Sequence, residues 1–127
     1  MKTLFISILG MAIIIASWSI FVNYADDNIH KLINSIEEDI LISVYAEDWD
    51  NAADQFDRLS KDWHDQKKIY SFFFNETDVN NIDFSIARTK KYIYAKDLSL
   101  ASGELNCIKE QLGFLHSNEL ITLDNVL

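Results

Sequence analysis

Hydrophobic and polar positions divide the chain into one unbroken apolar run and a set of helical stripes. From Leu4 to Val22 the sequence LFISILGMAIIIASWSIFV carries no charge over nineteen residues. As a helix rising 1.5 Å per residue it would be about 28 Å long, close to the ~30 Å hydrocarbon core of a bilayer. From Asn28 to Val44 the apolar residues Ile29, Leu32, Ile33, Ile36, Ile40 and Val44 recur every three or four positions, which predicts an amphipathic helix continuing from the apolar run. Glu37, Glu38 and Asp39 fall between them and are expected in water. A turn near 46–48 ends with Asp48, whose carboxylate is suited to cap a second helix through the unbonded amides of its first turn. Trp49, Ala52, Ala53, Phe56, Leu59 and Trp63 form the next stripe, with both tryptophans expected as core anchors.

Between Ile69 and Phe74 the period breaks into IYSFFF, and four aromatic rings in six residues cannot share one helical stripe. Asn75 is the expected cap of a third helix buried through Val79, Ile82, Ile86 and Ile93. Asp97 opens a fourth with Leu98, Ala101, Leu105, Ile108, Leu112 and Leu115 at near-heptad spacing. The tail after Gly113 holds Leu120, Ile121, Leu123, Val126 and Leu127 and is expected to pack back on the other helices.

One internal repeat organises these elements. Tyr45-Ala46-Glu47-Asp48-Trp49 is followed by Ala52, Phe56 and Leu59. Tyr94-Ala95-Lys96-Asp97-Leu98 is followed at the same offsets by Ala101, Leu105 and Ile108. Each copy sets a small residue one turn inside its second helix, where two helices can approach closely. Two such hairpins are too few for an open solenoid and predict a closed bundle. The expected fold is all-α, a transmembrane helix at about 4–23 followed by a four-helix bundle of two helical hairpins. The expected division is a membrane anchor over 1–24 and a bundle domain over 25–127.

Composition sharpens this picture. Three glycines and no proline favour long helices with short connections over sheets with tight turns. The single cysteine, Cys107, rules out an internal disulfide and lies too far from the N-terminus for a lipid anchor there. A cleavable signal sequence competes with an uncleaved anchor for the apolar run. The run is long for a signal, and Val22, Asn23 and Tyr24 before Ala25 fit a small-residue cleavage site poorly, so the reading is an anchor. Lys2 precedes the run and Asp26 and Asp27 follow it, which predicts a cytoplasmic N-terminus and an extracytoplasmic domain. Trp18, Phe21 and Tyr24 sit where an interfacial aromatic belt is expected. Beyond Lys2 the chain holds 10 basic and 20 acidic residues, a net charge of about −10 that argues against nucleic-acid binding and against docking on anionic lipid.

The E-D-W-x-x-A turn (Glu47, Asp48, Trp49, Ala52), the segment Asn81, Ile82, Ala87, Arg88, Lys90, Tyr92, Ile93 and the closing Leu123, Asn125, Val126, Leu127 carry a resemblance. Together with the apolar N-terminal span, they resemble a family of short membrane-anchored proteins found mainly in clostridial-type spore-forming bacteria and described only as a domain of unknown function. The resemblance covers essentially the whole chain and adds no site residues. It implies a bacterial membrane protein and an integral membrane protein as partner.

No pattern compels a chemistry. His30, His64 and His116 stand on three segments, without an H-x-x-x-H or E-x-x-H pair, and are read as solvated surface residues rather than metal ligands. Asp48, Asp50 and Asp54 faintly resemble a calcium loop but lack its glycine and closing glutamate, so capping and solvation account for them. Cys107 is expected as a half-buried thiol at a helix flank, with no partner set for a nucleophile. The sequon Asn75-Glu76-Thr77 matters only in a eukaryotic secretory pathway. Arg88, beside Lys90 and Lys91, is a candidate anion site or ion-pair partner. Ile69, Tyr70, Phe72, Phe73 and Phe74 form the candidate contact for a partner or membrane; alternatively they plug one end of the bundle. The expected function is a non-enzymatic, membrane-tethered interaction module with no cofactor, an accessory to an integral membrane protein, with a homo-oligomer possible. The alternative is a ligand-sensing bundle with a pocket near Arg88.

Overall fold

The computed structural model describes residues 1–126, with side chains for all of these except Phe73 and residues 118–126. Four helices account for nearly all of it: α1 (Lys2–Tyr45), α2 (Trp49–Phe73), α3 (Glu76–Tyr94) and α4 (Leu98–Val126). They run up, down, up and down, each packed on its chain neighbours, and α4 closes the ring against α1. The fold is all-α, as the stripes predict.

In α1 two environments meet. Up to Ile20 its described side chains are exposed apart from the half-buried Trp18, whereas from Phe21 onward one face is buried. That face comprises Phe21, Ala25, Ile29, Leu32, Ile36, Ile40, Leu41 and Val44, each at most 7% exposed. Its last part includes a π turn at Ile36–Ile40, where the Leu41 amide donates to the Ile36 carbonyl. The wide turn shifts the phase of the buried face there, and the adjacent residues Ile40 and Leu41 both face inward. Glu37, Glu38 and Asp39 lie on the outside of that turn, as expected.

The repeat is real down to the backbone. Glu47 and Lys96 both adopt left-handed conformations, at φ 56° and 55°. Asp48 N–H donates to Ser43 carbonyl at 2.9 Å and Glu47 N–H to Val44 carbonyl at 3.0 Å. Asp97 N–H to Tyr92 carbonyl and Lys96 N–H to Ile93 carbonyl, both at 3.0 Å, match them bond for bond. Each turn is a Schellman closure whose final residue also caps the next helix. Asp48 accepts from the Asn51 amide at 3.4 Å and Asp97 from the Leu100 amide at 3.0 Å. The repeated alanines, Ala52 and Ala101, are fully buried. The middle connection differs: Phe74 is extended, and the Asn75 side chain accepts from the Thr77 amide at 2.9 Å.

Phe56, Leu59, Trp63 and Tyr70 from α2, Val79, Ile82 and Ile93 from α3, and Ala101, Leu105, Ile108, Leu112 and Leu115 from α4 complete the core. Each large apolar side chain so buried contributes about 1.5–3 kcal/mol. Several details depart from the sequence reading. Trp49 is only partly buried at the rim, and Leu98 is 38% exposed. Ser85 and Thr89 fill the α3 stripe between Ile82 and Ile93 with no exposed surface. Thr89 Oγ1 satisfies itself by donating to the Ser85 carbonyl at 2.7 Å, so a polar residue fits a core position. Cys107 is exposed rather than half-buried, because it lies off the Leu105–Ile108 face. Helix α4 continues through Gly113 to Val126, so no break separates a tail. The apolar side chains of that tail lie outside the described residues.

Candidate functional site

The base of the bundle, where α1 leaves its exposed apolar stretch, gathers the chemically distinctive residues. Helix α2 returns there, and the aromatic run divides by helical phase. Tyr70 is fully buried and Phe74 packs on the core, while Ile69 is 38% and Phe72 85% exposed. The two inward rings extend a series of tilted contacts: Trp63–Tyr70 at 5.7 Å, Tyr70–Phe74 at 5.8 Å, Phe74–Phe21 at 6.1 Å and Phe21–Trp18 at 5.9 Å between centroids. These separations fall in the favourable range for edge-to-face and offset rings. Tyr70 and Phe74 thus lie inward, where the alternative reading of the run as a plug puts them. Among the described side chains of the run, Ile69 and Phe72 face outward, and the side chain of Phe73, also expected at the contact, lies outside the described residues.

One turn above Phe21 lies a polar cluster. Asp26 and His30 are four residues apart on α1, so they share a face. His116 reaches them from α4. Its Nδ1 lies 2.8 Å from Asp26 Oδ1, and His30 Nε2 lies 3.5 Å from the same oxygen. The two imidazole rings are 5.2 Å apart. Asp26 Oδ1 and His116 Nδ1 are shielded from solvent, yet their alignment is not that of a hydrogen bond. Histidine pairs and glutamate–histidine spacings do not reveal this cluster, whose local signal is Asp26-x-x-x-His30. The third member joins only through the antiparallel pairing of α1 and α4.

The other candidates sit apart from it. Arg88 is engaged on the opposite hairpin, donating from Nε at 3.3 Å and Nη2 at 3.4 Å to Glu104 and from Nη2 at 3.1 Å to Ser85 Oγ. Its guanidinium is held as an interhelical ion pair. His64 is exposed on α2. Asp48 serves as a cap, and Asp54 makes an exposed 3.9 Å contact with Arg58. Cys107 lines a shallow cleft of about 340 Å³ with Asp78, Asn81 and Phe114 between α3 and α4.

These features define a class: an antiparallel four-helix protein whose first helix is extended by an apolar stretch long enough to cross a bilayer or to act as a signal sequence. Within that class the chain belongs to the family described as domain of unknown function DUF4363, which matches residues 16–126. The match takes in the whole bundle and the last part of the apolar stretch. No curated protein and no solved structure matches the chain.

Proposed function

We propose that the protein is a membrane-tethered, non-enzymatic interaction module, an accessory subunit that binds an integral membrane protein at the base of its bundle. In this reading residues 1–24 are the anchor and 25–127 the extracytoplasmic domain, with the N-terminus in the cytoplasm. The observation that carries it is the Phe21–Phe74 contact, which joins the aromatic end of α2 to the end of the apolar stretch and leaves Phe72 85% exposed beside it. An exposed ring at that level meets lipid headgroups or a neighbouring membrane protein. Within the apolar window only 6% of the residues are buried by the chain itself, so its faces are open to lipid or to a partner helix. The resemblance to membrane-anchored proteins of spore-forming bacteria supports the same placement.

Two experiments test this. A photo-crosslinking phenylalanine analogue at position 72, activated in cells, should yield one dominant integral membrane protein. Crosslinks to lipid alone would overturn the accessory role. Cys107 is exposed and the only cysteine, so it reports orientation without engineering. A membrane-impermeant maleimide should label it in cells with the outer surface exposed. Labelling only after permeabilisation would reverse the proposed topology.

A further inference from the structure

We propose that Asp26, His30 and His116 form a binding site for a zinc-class divalent transition-metal ion that clasps α4 to α1 just above the apolar stretch. Two imidazoles and one carboxylate are the donor set such ions select, and calcium or magnesium would demand oxygen ligands throughout. One ligand atom from each residue lies within 4.8 Å of the other two. Tetrahedral bonds of 2.0–2.1 Å place ligand atoms about 3.3 Å apart. The 3.5 Å separation of His30 Nε2 and Asp26 Oδ1 already matches that spacing, and the 2.8 Å separation of His116 Nδ1 and Asp26 Oδ1 needs to open by about half an ångström. Side-chain rotation alone supplies such a change.

The decisive feature is the state of the two inner atoms. Asp26 Oδ1 and His116 Nδ1 face each other at 2.8 Å, both shielded from water, a separation at which a proton or a cation must be shared between them. A cation between them gives both lone pairs a partner, which neither gains from solvent. The spacing adds a geometric reason, since ligands one helical turn apart present donors to one point. The third ligand comes from a second helix, so binding joins two elements. Three protein ligands leave at least one coordination position for water or an incoming donor. The exposed His30, at 58% side-chain exposure, is the open side through which the ion enters.

The test uses the full chain without a histidine tag, in detergent micelles, titrated with zinc and with cobalt(II) as a spectroscopic substitute. The expected result is saturable one-to-one binding at micromolar concentrations, intense visible cobalt bands of low coordination number, and a rise in unfolding temperature with added zinc. His116→Ala and Asp26→Asn should each weaken binding by at least about tenfold, whereas His64→Ala should leave it unchanged. His30→Gln should weaken it comparably, and because that side chain is largely exposed it serves even if the His116 variant fails to fold. Absence of saturable binding at ~100 µM metal, or wild-type affinity in the His30→Gln protein, would overturn the site.

Discussion

The Phe21 ring lies 6.1 Å from the Phe74 ring, tilted by 52°, and joins the end of an apolar helix stretch to the turn between α2 and α3. In sequence they are separated by the rest of α1 and the whole of α2. The contact fixes where the bundle stops and where the exposed apolar stretch begins, because Phe21 is the first residue of α1 buried by the rest of the chain.

Removing either ring should therefore loosen the base. Phe21→Ala and Phe74→Ala are each expected to destabilise the bundle by roughly 2–3 kcal/mol, less than a fully buried phenylalanine because Phe74 is only partly buried. The double variant should fall short of additivity by about 1 kcal/mol. Denaturation in mild detergent, followed by tryptophan fluorescence, measures both. Additive losses would show that the rings do not interact.

The outward ring should behave oppositely. Phe72 is 85% exposed, so Phe72→Ser is expected to change stability by no more than about 0.5 kcal/mol. The same denaturation measurement reads this, and a large loss would place Phe72 inside the core.

Asp83 divides its carboxylate between two residues of α2, accepting from Trp63 Nε1 at 2.7 Å and Lys67 Nζ at 3.1 Å. Trp63 is 2% exposed, so Asp83→Ala leaves a buried indole donor without an acceptor and should cost about 2 kcal/mol. Asp83→Asn keeps an acceptor and loses only a partly exposed ion pair, an expected cost of about 0.5–1 kcal/mol. Comparing unfolding midpoints of the two variants separates these contributions, and equal losses would count against the indole bond.

The paired turns carry a side chain at a left-handed position. Glu47→Gly and Lys96→Gly relieve that strain and should each raise stability by about 0.5–1 kcal/mol, after the entropy that glycine adds to the unfolded chain. Glu47→Val should instead lower it by about 1 kcal/mol, since a β-branched residue fits this conformation worst. Thermal unfolding of the three variants supplies the check.

Two glycines lie within α4 without a packing reason. A Cβ added at Gly103 or Gly113 meets nothing within 4 Å. Gly103→Ala and Gly113→Ala should each stabilise the helix by about 0.5–1 kcal/mol through backbone entropy alone, read as a higher unfolding temperature.

Periodicity alone determined much of this protein. The stripes through Ile29–Val44, Ala52–Trp63, Val79–Ile93 and Ala101–Leu115 identify the buried faces, because a helix places every third or fourth residue on one side whatever it packs against. The repeat Tyr45–Trp49 and Tyr94–Leu98 specifies two equivalent closures, because capping and left-handed turns are local chemistry. Tertiary structure decided the rest. Only the return of α2 to Phe21 separates buried Tyr70 and partly buried Phe74 from exposed Phe72, since an aromatic run has no period of its own. Only the core around α3 turns Ser85 and Thr89 inward, where a bond to the preceding helical turn satisfies the Thr89 hydroxyl. And only the antiparallel alignment of α4 on α1 brings His116 within 2.8 Å of Asp26, ninety residues away, a distance that local spacing cannot encode.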